Sequence, residues 1–470
     1  MSEQTIETRL FINNEFVPSQ TEPTFPLYNP ATEQHVADIH QAGSADIDAA
    51  VAAAEQAFPA WRDTPIMKKA PLFGKLSQLI LRDADELWKL ERLAMGRTYG
   101  FSKFEIKVCS GIFAIHSTLA LNIAGSSSLN TPGMITFTLK HPFGVVAGII
   151  PWNASLIMFA MKVAPAIATG NCVIIKSSEK SPLGVLKLAK LINEAGFPPG
   201  VVNIVTGAGP KAGSLIAHHM KIRKVAFTGS IATGKRILAA SANSNLKKVT
   251  LELGGKSPAI IFEDADLDKA VHSRVFVQRS IADAFTHKLV ELFNGRKMGN
   301  PEDKSIFQGP QGDRTQRDRI LSILDRGLND GKVICGGRAS HIDKKGFFIE
   351  PTIITDVADD SVLMTEEIFG PVVIVNTFET DEEALFRANN TEYGLYSSIY
   401  TRDVERALKF AKFLEAGAVG LNCSAPTQAL DMPVGGWKQS GIGREMHLYA
   451  LENYLETKSV YMKYSDVDAH

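Results

Sequence analysis

GVVAGII (144–150), CVIIK (172–176), VVNIVTG (201–207), KVAFTG (224–229) and KVTLELG (248–254) are short β-rich runs separated by longer helical stretches. Parallel neighbours need crossovers, so five such strands with four helical connections predict a doubly wound, nucleotide-binding sheet. The helix expected over 181–195 repeats Leu183, Leu186, Leu188 and Leu191 on one face and stops at Gly196 and Pro198. Upstream, 45–61 and 66–95 read as amphipathic helices covering the sheet, with Asp46 and Thr64 as caps. Downstream, PAIIF (258–262), RVFVQ (274–278), FFIEPTII (347–354) and PVVIVNTF (371–378) predict a second α/β domain. The sequence shows no internal repeat and no low-complexity tract.

A chain of 470 residues can bury a large core, which predicts two or three domains. Its 50 Lys plus Arg and 51 Asp plus Glu leave a net charge of -1. That balance gives no electrostatic footprint for nucleic acid or an anionic membrane, so the expected partner is a small molecule. The first ten residues lack a basic region followed by an apolar one, so a cytoplasmic location is expected. Residues 144–168 are the most apolar stretch, but Pro151, Asn153, Lys162 and Pro165 make a strand and buried helix the better reading than a membrane span. The cysteines Cys109, Cys172, Cys335 and Cys423 have no CxxC spacing, which fits a reducing compartment without a zinc site or disulfide framework.

The segment Phe227, Thr228, Gly229, Ser230, Ile231, Ala232, Thr233, Gly234 ends a strand and opens a helix. Backbone N–H groups there can face a pyrophosphate, although a plain tight turn has the same sequence. Lys176, Ser177, Ser178 and Glu179 follow another strand of the same sheet, at the end where dinucleotides bind. Glu179 can accept hydrogen bonds from ribose hydroxyls and repel a 2′-phosphate, favouring NAD over NADP; a solvated Lys–Glu loop is the alternative. Glu252 is a carboxylate in an apolar strand, where desolvation raises proton affinity and suits a general base; a Glu satisfied by backbone donors is the alternative. Asn153 follows a buried strand and can donate to an oxyanion, or it can simply form a turn. Lys162, in an otherwise apolar helix, must snorkel or meet a polar group such as a cofactor hydroxyl.

Eight segments in register resemble the NAD(P)-dependent aldehyde dehydrogenase family over nearly the whole chain. They are FINNEFVPS (11–19), SLNTPG (128–133), IIPWN (149–153), EAGFPPGVVNIVTG (194–207), VAFTGS (225–230), VTLELGGKSP (249–258), EEIFGPVV (366–373) and PVGGWKQSGIGRE (433–445). The resemblance implies an NAD-binding domain over 1–123 and 142–254, a catalytic domain over 255–438, and a small β bridging element over 124–141 and 439–470. That element would build a homodimer or homotetramer. It further implies a cofactor cleft at Ile150, Pro151, Trp152, Asn153, Lys162, Lys176, Ser178, Glu179, Gly209, Pro210, Gly213, Phe227, Thr228, Gly229, Ser230, Thr233, Gly234 and Leu253. Glu367 and Phe369 would position the nicotinamide ribose. Glu252 is similar to the family's general base and Asn153 to its oxyanion donor, in the oxidation of a small-molecule aldehyde to a carboxylic acid.

One departure from the family pattern is large. After residues 264–271 the family continues a helix to a glutamine-glycine-glutamine-cysteine loop, whereas this chain passes directly to His272, Ser273 and Arg274. The shortfall is about fifteen to twenty residues, in a place where a parallel crossover with its helix needs at least roughly 10–12. Smaller departures are Ser177 where the family has proline, Ile231 after Ser230, and the sequence HSTLALNIAG (116–125). Cys423 is expected to be a small buried thiol rather than a relocated nucleophile. Three readings follow: a shortened form of an otherwise active enzyme, a non-catalytic NAD-binding protein, or an enzyme using Glu252 and NAD for other chemistry.

Overall fold

The computed structural model describes residues 6–20, 23–266, 274–342, 345–424 and 429–464. The five apolar runs form the parallel strands Val145–Ile149, Cys172–Lys176, Val202–Val205, Lys224–Thr228 and Lys248–Glu252. In space the order is third, second, first, fourth, fifth, the arrangement of a doubly wound dinucleotide-binding sheet. Sequence reading missed three short strands. Leu10–Ile12 and Glu15–Val17 add antiparallel to one edge, and Gly441–Ile442 pairs antiparallel with Lys248–Glu252 at the other, making eight strands. Gly441 and Ile442, grouped above with the bridging element, pair with this sheet.

The helices differ from expectation in instructive ways. The 66–95 stretch is two helices, Ile66–Arg82 and Ala84–Met95, broken at Asp83. Asp46 lies in the first turn of Ser44–Asp63 rather than at its cap; its carboxylate accepts from the Gly43 N–H at 2.9 Å. Thr64 closes that helix instead of opening the next. The helix Ser155–Ala168 is buried on nearly every side, and Pro182–Ala195 ends at a left-handed Gly196 as its sequence predicts. Tyr99–Asn122 is long and apolar enough to cross a membrane, yet half of that window is packed inside the protein.

The second sheet has seven strands. Thr352–Thr355, Val372–Phe378, Arg274–Gln278, Pro258–Ile261, Tyr396–Tyr400 and Ala418–Leu421 run parallel in that order, with Lys332–Cys335 antiparallel at one edge. The expected strand over 347–354 is two, Lys345–Ile349 and Thr352–Thr355, interrupted at Glu350 and Pro351. The proline lacks the N–H that a continuous ladder would use. A third sheet joins Leu455–Lys463, Met134–Pro142 and Ser127–Ser128, all antiparallel.

Candidate functional site

Strand register brings the candidate residues to one level. Ile149 is opposite Lys176 on one side and Phe227 on the other, and Thr228 is opposite Glu252. All are at the carboxyl ends of the strands, where the order reverses between Val145–Ile149 and Lys224–Thr228. That crevice is the place a doubly wound sheet offers a dinucleotide.

The phosphate-side elements lie around this crevice. The helix Ile231–Ala242 begins directly after Gly229 and Ser230, and the Ser230 hydroxyl caps it by accepting from the Thr233 N–H at 3.4 Å. Gly234, in that first turn, packs against Leu253, where a Cβ would come within 2.9 Å of the leucine side chain. Gly209, Pro210 and Gly213 form a short turn after the third strand, and at both glycines the position of a Cβ is open space. A helix N-terminus beside unobstructed backbone fits a pyrophosphate. Lys176 is buried and donates to Glu179 at 3.2 Å, while the Glu179 side chain stays 40% exposed and lines a recess of 740 Å³. Ser178 is buried, its hydroxyl engaged by the Lys180 N–H at 3.3 Å.

Glu367 and Phe369 reach the same place from the second half of the molecule. The Glu367 carboxylate accepts from the Gly255 N–H at 3.1 Å, and a Cβ on Gly254 would stand 2.2 Å from its Oε2, so glycine at 254 permits the approach. Phe369 adopts φ 57°, unusual for an aromatic residue, and its ring meets Trp152 edge-on at 5.3 Å. Gln316 and Arg319, which the sequence did not single out, donate to the carbonyls of Phe369, Ile368 and Glu367 and hold this segment.

Glu252 ends its strand with its Oε2 enclosed and without a hydrogen-bond partner. Burial, with the neighbouring Glu445 carboxylate adding negative charge, pushes the Glu252 carboxyl up to about 8. Glu445 is the residue that sequence reasoning missed. It receives the ammonium of Lys162, whose Nζ is 2.6 Å from Oε2 and close to Oε1, and which also donates to the Thr228 hydroxyl at 2.8 Å. Lys162 is 0% exposed. The snorkelling alternative for Lys162 is therefore corrected: inside this core an ammonium needs a carboxylate, and Glu445 supplies it.

Asn153 and Trp152 lie on the loop between Val145–Ile149 and Ser155–Ala168, after the buried Ile150, and their carbonyls accept from Arg97. Cys423 is exposed, which overturns the expectation of a buried thiol. Cys109 and Cys172 are buried; burial pushes the Cys109 thiol well up and the Cys172 thiol up to about 12. Among the described residues no group of three or more His, Cys, Asp or Glu is arranged to hold a metal ion.

A family model described as the aldehyde dehydrogenase family matches residues 16–273 and 271–460, in two pieces that meet at 271–273. An aldehyde dehydrogenase of Emericella nidulans is 42% identical over 475 aligned positions, a span longer than the chain itself, covering 97% of this chain and 95% of the relative. Retinal dehydrogenase 2 of Homo sapiens is 43% identical, with 97% and 92% covered. The NAD+ complex of an aldehyde dehydrogenase from Bacillus cereus superposes with a TM-score of 0.94 at 41% identity, covering 98% of this chain and 97% of that one.

Proposed function

The chain belongs to the aldehyde dehydrogenase family, which carries out NAD-dependent aldehyde oxidation, and on that premise we propose that this form keeps the cofactor cleft and the base but lacks the nucleophile. The observation that carries this reading is the short passage from the strand ending at Ile261 to the parallel strand starting at Arg274, next to each other in the second sheet. The family's cysteine loop has no counterpart in that stretch of sequence, and the chain's four cysteines lie elsewhere.

NAD would be held by the helix start at Ser230 and Thr233, by the Lys176–Glu179 corner, and by Glu367 and Phe369; when bound, it supplies a hydride acceptor. Glu179 presents a carboxylate where a 2′-phosphate would be repelled, which favours NAD over NADP. Asn153 would donate to the substrate oxygen. Glu252 holds its proton to about pH 8 and becomes a base above it, while Lys162 keeps a counter-charge on Glu445. Without a thiolate these groups can bind and orient a small aldehyde but have nothing to attack it with.

Self-association has support in the third sheet. Leu455–Lys463 pairs on one side only, and it exposes Tyr461 and Met462 along a nine-residue edge. Edges of that length invite another chain. A homodimer or homotetramer in the cytoplasm is the assembly proposed.

A second reading has its own observation. The family match breaks at one point, with both flanks in register, as the loss of a single block would produce. A form carrying that block would oxidise aldehydes. The test is NAD binding by calorimetry together with aldehyde-dependent NADH absorbance. The expected result is binding without turnover. Turnover that vanishes in Cys423→Ser would overturn the proposal and assign the nucleophile to Cys423.

A further inference from the structure

Behind the Trp152–Asn153 loop lies a group of buried charges that none of these roles uses. One helical hairpin delivers all of them. Ala84–Met95 carries Glu91, Tyr99–Leu119 carries Glu105, and the turn between them carries Arg97. The turn is tight because Gly96 takes φ +63° and lies where a Cβ would be 2.4 Å from the Pro310 ring, so the hairpin is wedged against the second half of the molecule.

Both carboxylates are fully buried and both engage the start of the helix Ser155–Ala168. Glu105 Oε1 accepts from the Leu156 N–H at 2.9 Å, and Glu91 Oε2 accepts from the Ser155 hydroxyl at 2.9 Å. The positive end of the helix dipole favours negative charge there. Two carboxylates sharing one dry site cannot both ionise freely, and burial raises both, Glu91 to about 8. The charge of Arg97 lowers both carboxyls somewhat, but no hydrogen bond joins them: Arg97 Nε, Glu91 Oε1 and Glu105 Oε2 are buried without partners.

The guanidinium faces forward. Its Nη2 donates to the Trp152 carbonyl at 2.8 Å and contacts the Asn153 carbonyl, while Phe101 packs over its carbon. One nitrogen thus ties two consecutive carbonyls, and through them the direction in which the Asn153 amide and the Trp152 indole project. The indole in turn meets Phe369 on its edge and the Lys180 ammonium at 5.3 Å over its face. Lys180 pairs with Asp313 at 2.8 Å.

We propose that Arg97 is a positioning residue for the cofactor cleft: it fixes the main chain of Trp152 and Asn153 so that indole and amide face the nicotinamide end. This rests on the proposed reading of that loop as part of the cleft. A residue acting only on stability would lower the unfolding midpoint without changing how folded protein binds NAD.

The experiment uses the full chain with Arg97→Met and Arg97→Lys. It measures NAD affinity by calorimetry and Trp152 emission by difference from the same proteins carrying Trp152→Phe. Arg97→Met is expected to bind NAD at least about ten-fold more weakly, the usual loss for a charge-assisted hydrogen bond, with Trp152 emission moved to longer wavelength before NAD is added. Arg97→Lys, shorter and without the fork, should fall between. Wild-type affinity in folded Arg97→Met overturns the proposal, even if the emission moves. If Arg97→Met does not fold, Arg97→Lys decides: intermediate values support the proposal, and wild-type values overturn it. If the unaltered chain binds no NAD, the proposed function fails instead, and the emission arm alone decides whether Arg97 orders the loop, unchanged emission overturning it.

Discussion

The two sheets solve the same problem with different lengths of chain. In the first, the segments joining successive parallel strands run from 18 to 25 residues, each with room for a helix. In the second, 12 residues separate the strand ending at Ile261 from the one beginning at Arg274. The polar groups do not divide in the same way. On the first side, Lys162 meets Glu445 and Thr228, Lys176 meets Glu179, and Lys224 meets the Thr250 hydroxyl at 2.6 Å. Lys256 Nζ, in the second half, is enclosed without a hydrogen-bond partner, but so are Glu91 Oε1, Glu105 Oε2, His116 Nε2 and Ser177 Oγ in the first. Buried polar atoms are ordinarily satisfied, but the exceptions do not single out the second half; the length of the connection does.

The strongest test of this contrast is to lengthen the short segment. A family-like insert after Val271 that carries the cysteine loop should raise aldehyde-dependent NADH production by on the order of 10⁴–10⁶-fold, the scale on which a lost nucleophile is felt. The same insert should raise the thermal midpoint, because it gives the connection the length that a crossover helix needs. Equal midpoints would mean that the 12-residue connection is fully accommodated. Next in size is Lys162→Met, which strands Glu445 inside the first half. Unfolding by denaturant should show a loss of about 3–5 kcal/mol, and a near-neutral result would deny that this half depends on its ion pair.

Glu179→Ala should weaken NAD about ten-fold in a direct titration and leave NADP almost unaffected. Parallel losses for both dinucleotides would remove the ribose role. The effect seen only as a change of slope with pH concerns Glu252. Its carboxyl is raised to about 8 in the folded protein from an ordinary 4.5, so the folded state keeps a proton that the unfolded chain gives up. That contribution is full below about pH 4.5 and is lost as pH rises to about 8. Glu252→Gln should therefore flatten the decline of stability across this window by up to about 1.4 kcal/mol per pH unit, measured by unfolding at several pH values. Glu91, raised to the same level, keeps part of the slope in either protein.

Strands were legible because runs such as CVIIK and RVFVQ are apolar except at their ends, as strands covered on both faces must be. The short strands Leu10–Ile12 and Gly441–Ile442 were not, since three and two residues carry no period. Glu252 and Glu179 were legible as charges placed at strand ends. Glu445 was not, because its partner is 283 residues away in sequence. A signal did exist: a lysine surrounded by Leu156, Phe159 and Val163 requires a buried carboxylate, and Glu445 closes one of the eight family-like segments. Arg97, Glu91 and Glu105 gave no such hint, for amphipathic helices routinely carry charges at that density.

The strand Gly441–Ile442 and the carboxylate of Glu445 come from near the end of the chain, yet they complete a sheet whose core strands start at Val145. On a ribosome, Lys162 waits without its counter-ion until some 280 further residues have been made. The first half consequently cannot reach its final electrostatic state as it emerges, and its closing contacts carry a large loop-closure entropy. Folding is thereby tied to completion of synthesis: a nascent chain stalled before Glu445 holds an open sheet edge and a solitary ammonium, the features that holdase chaperones and proteases recognise in unfinished proteins.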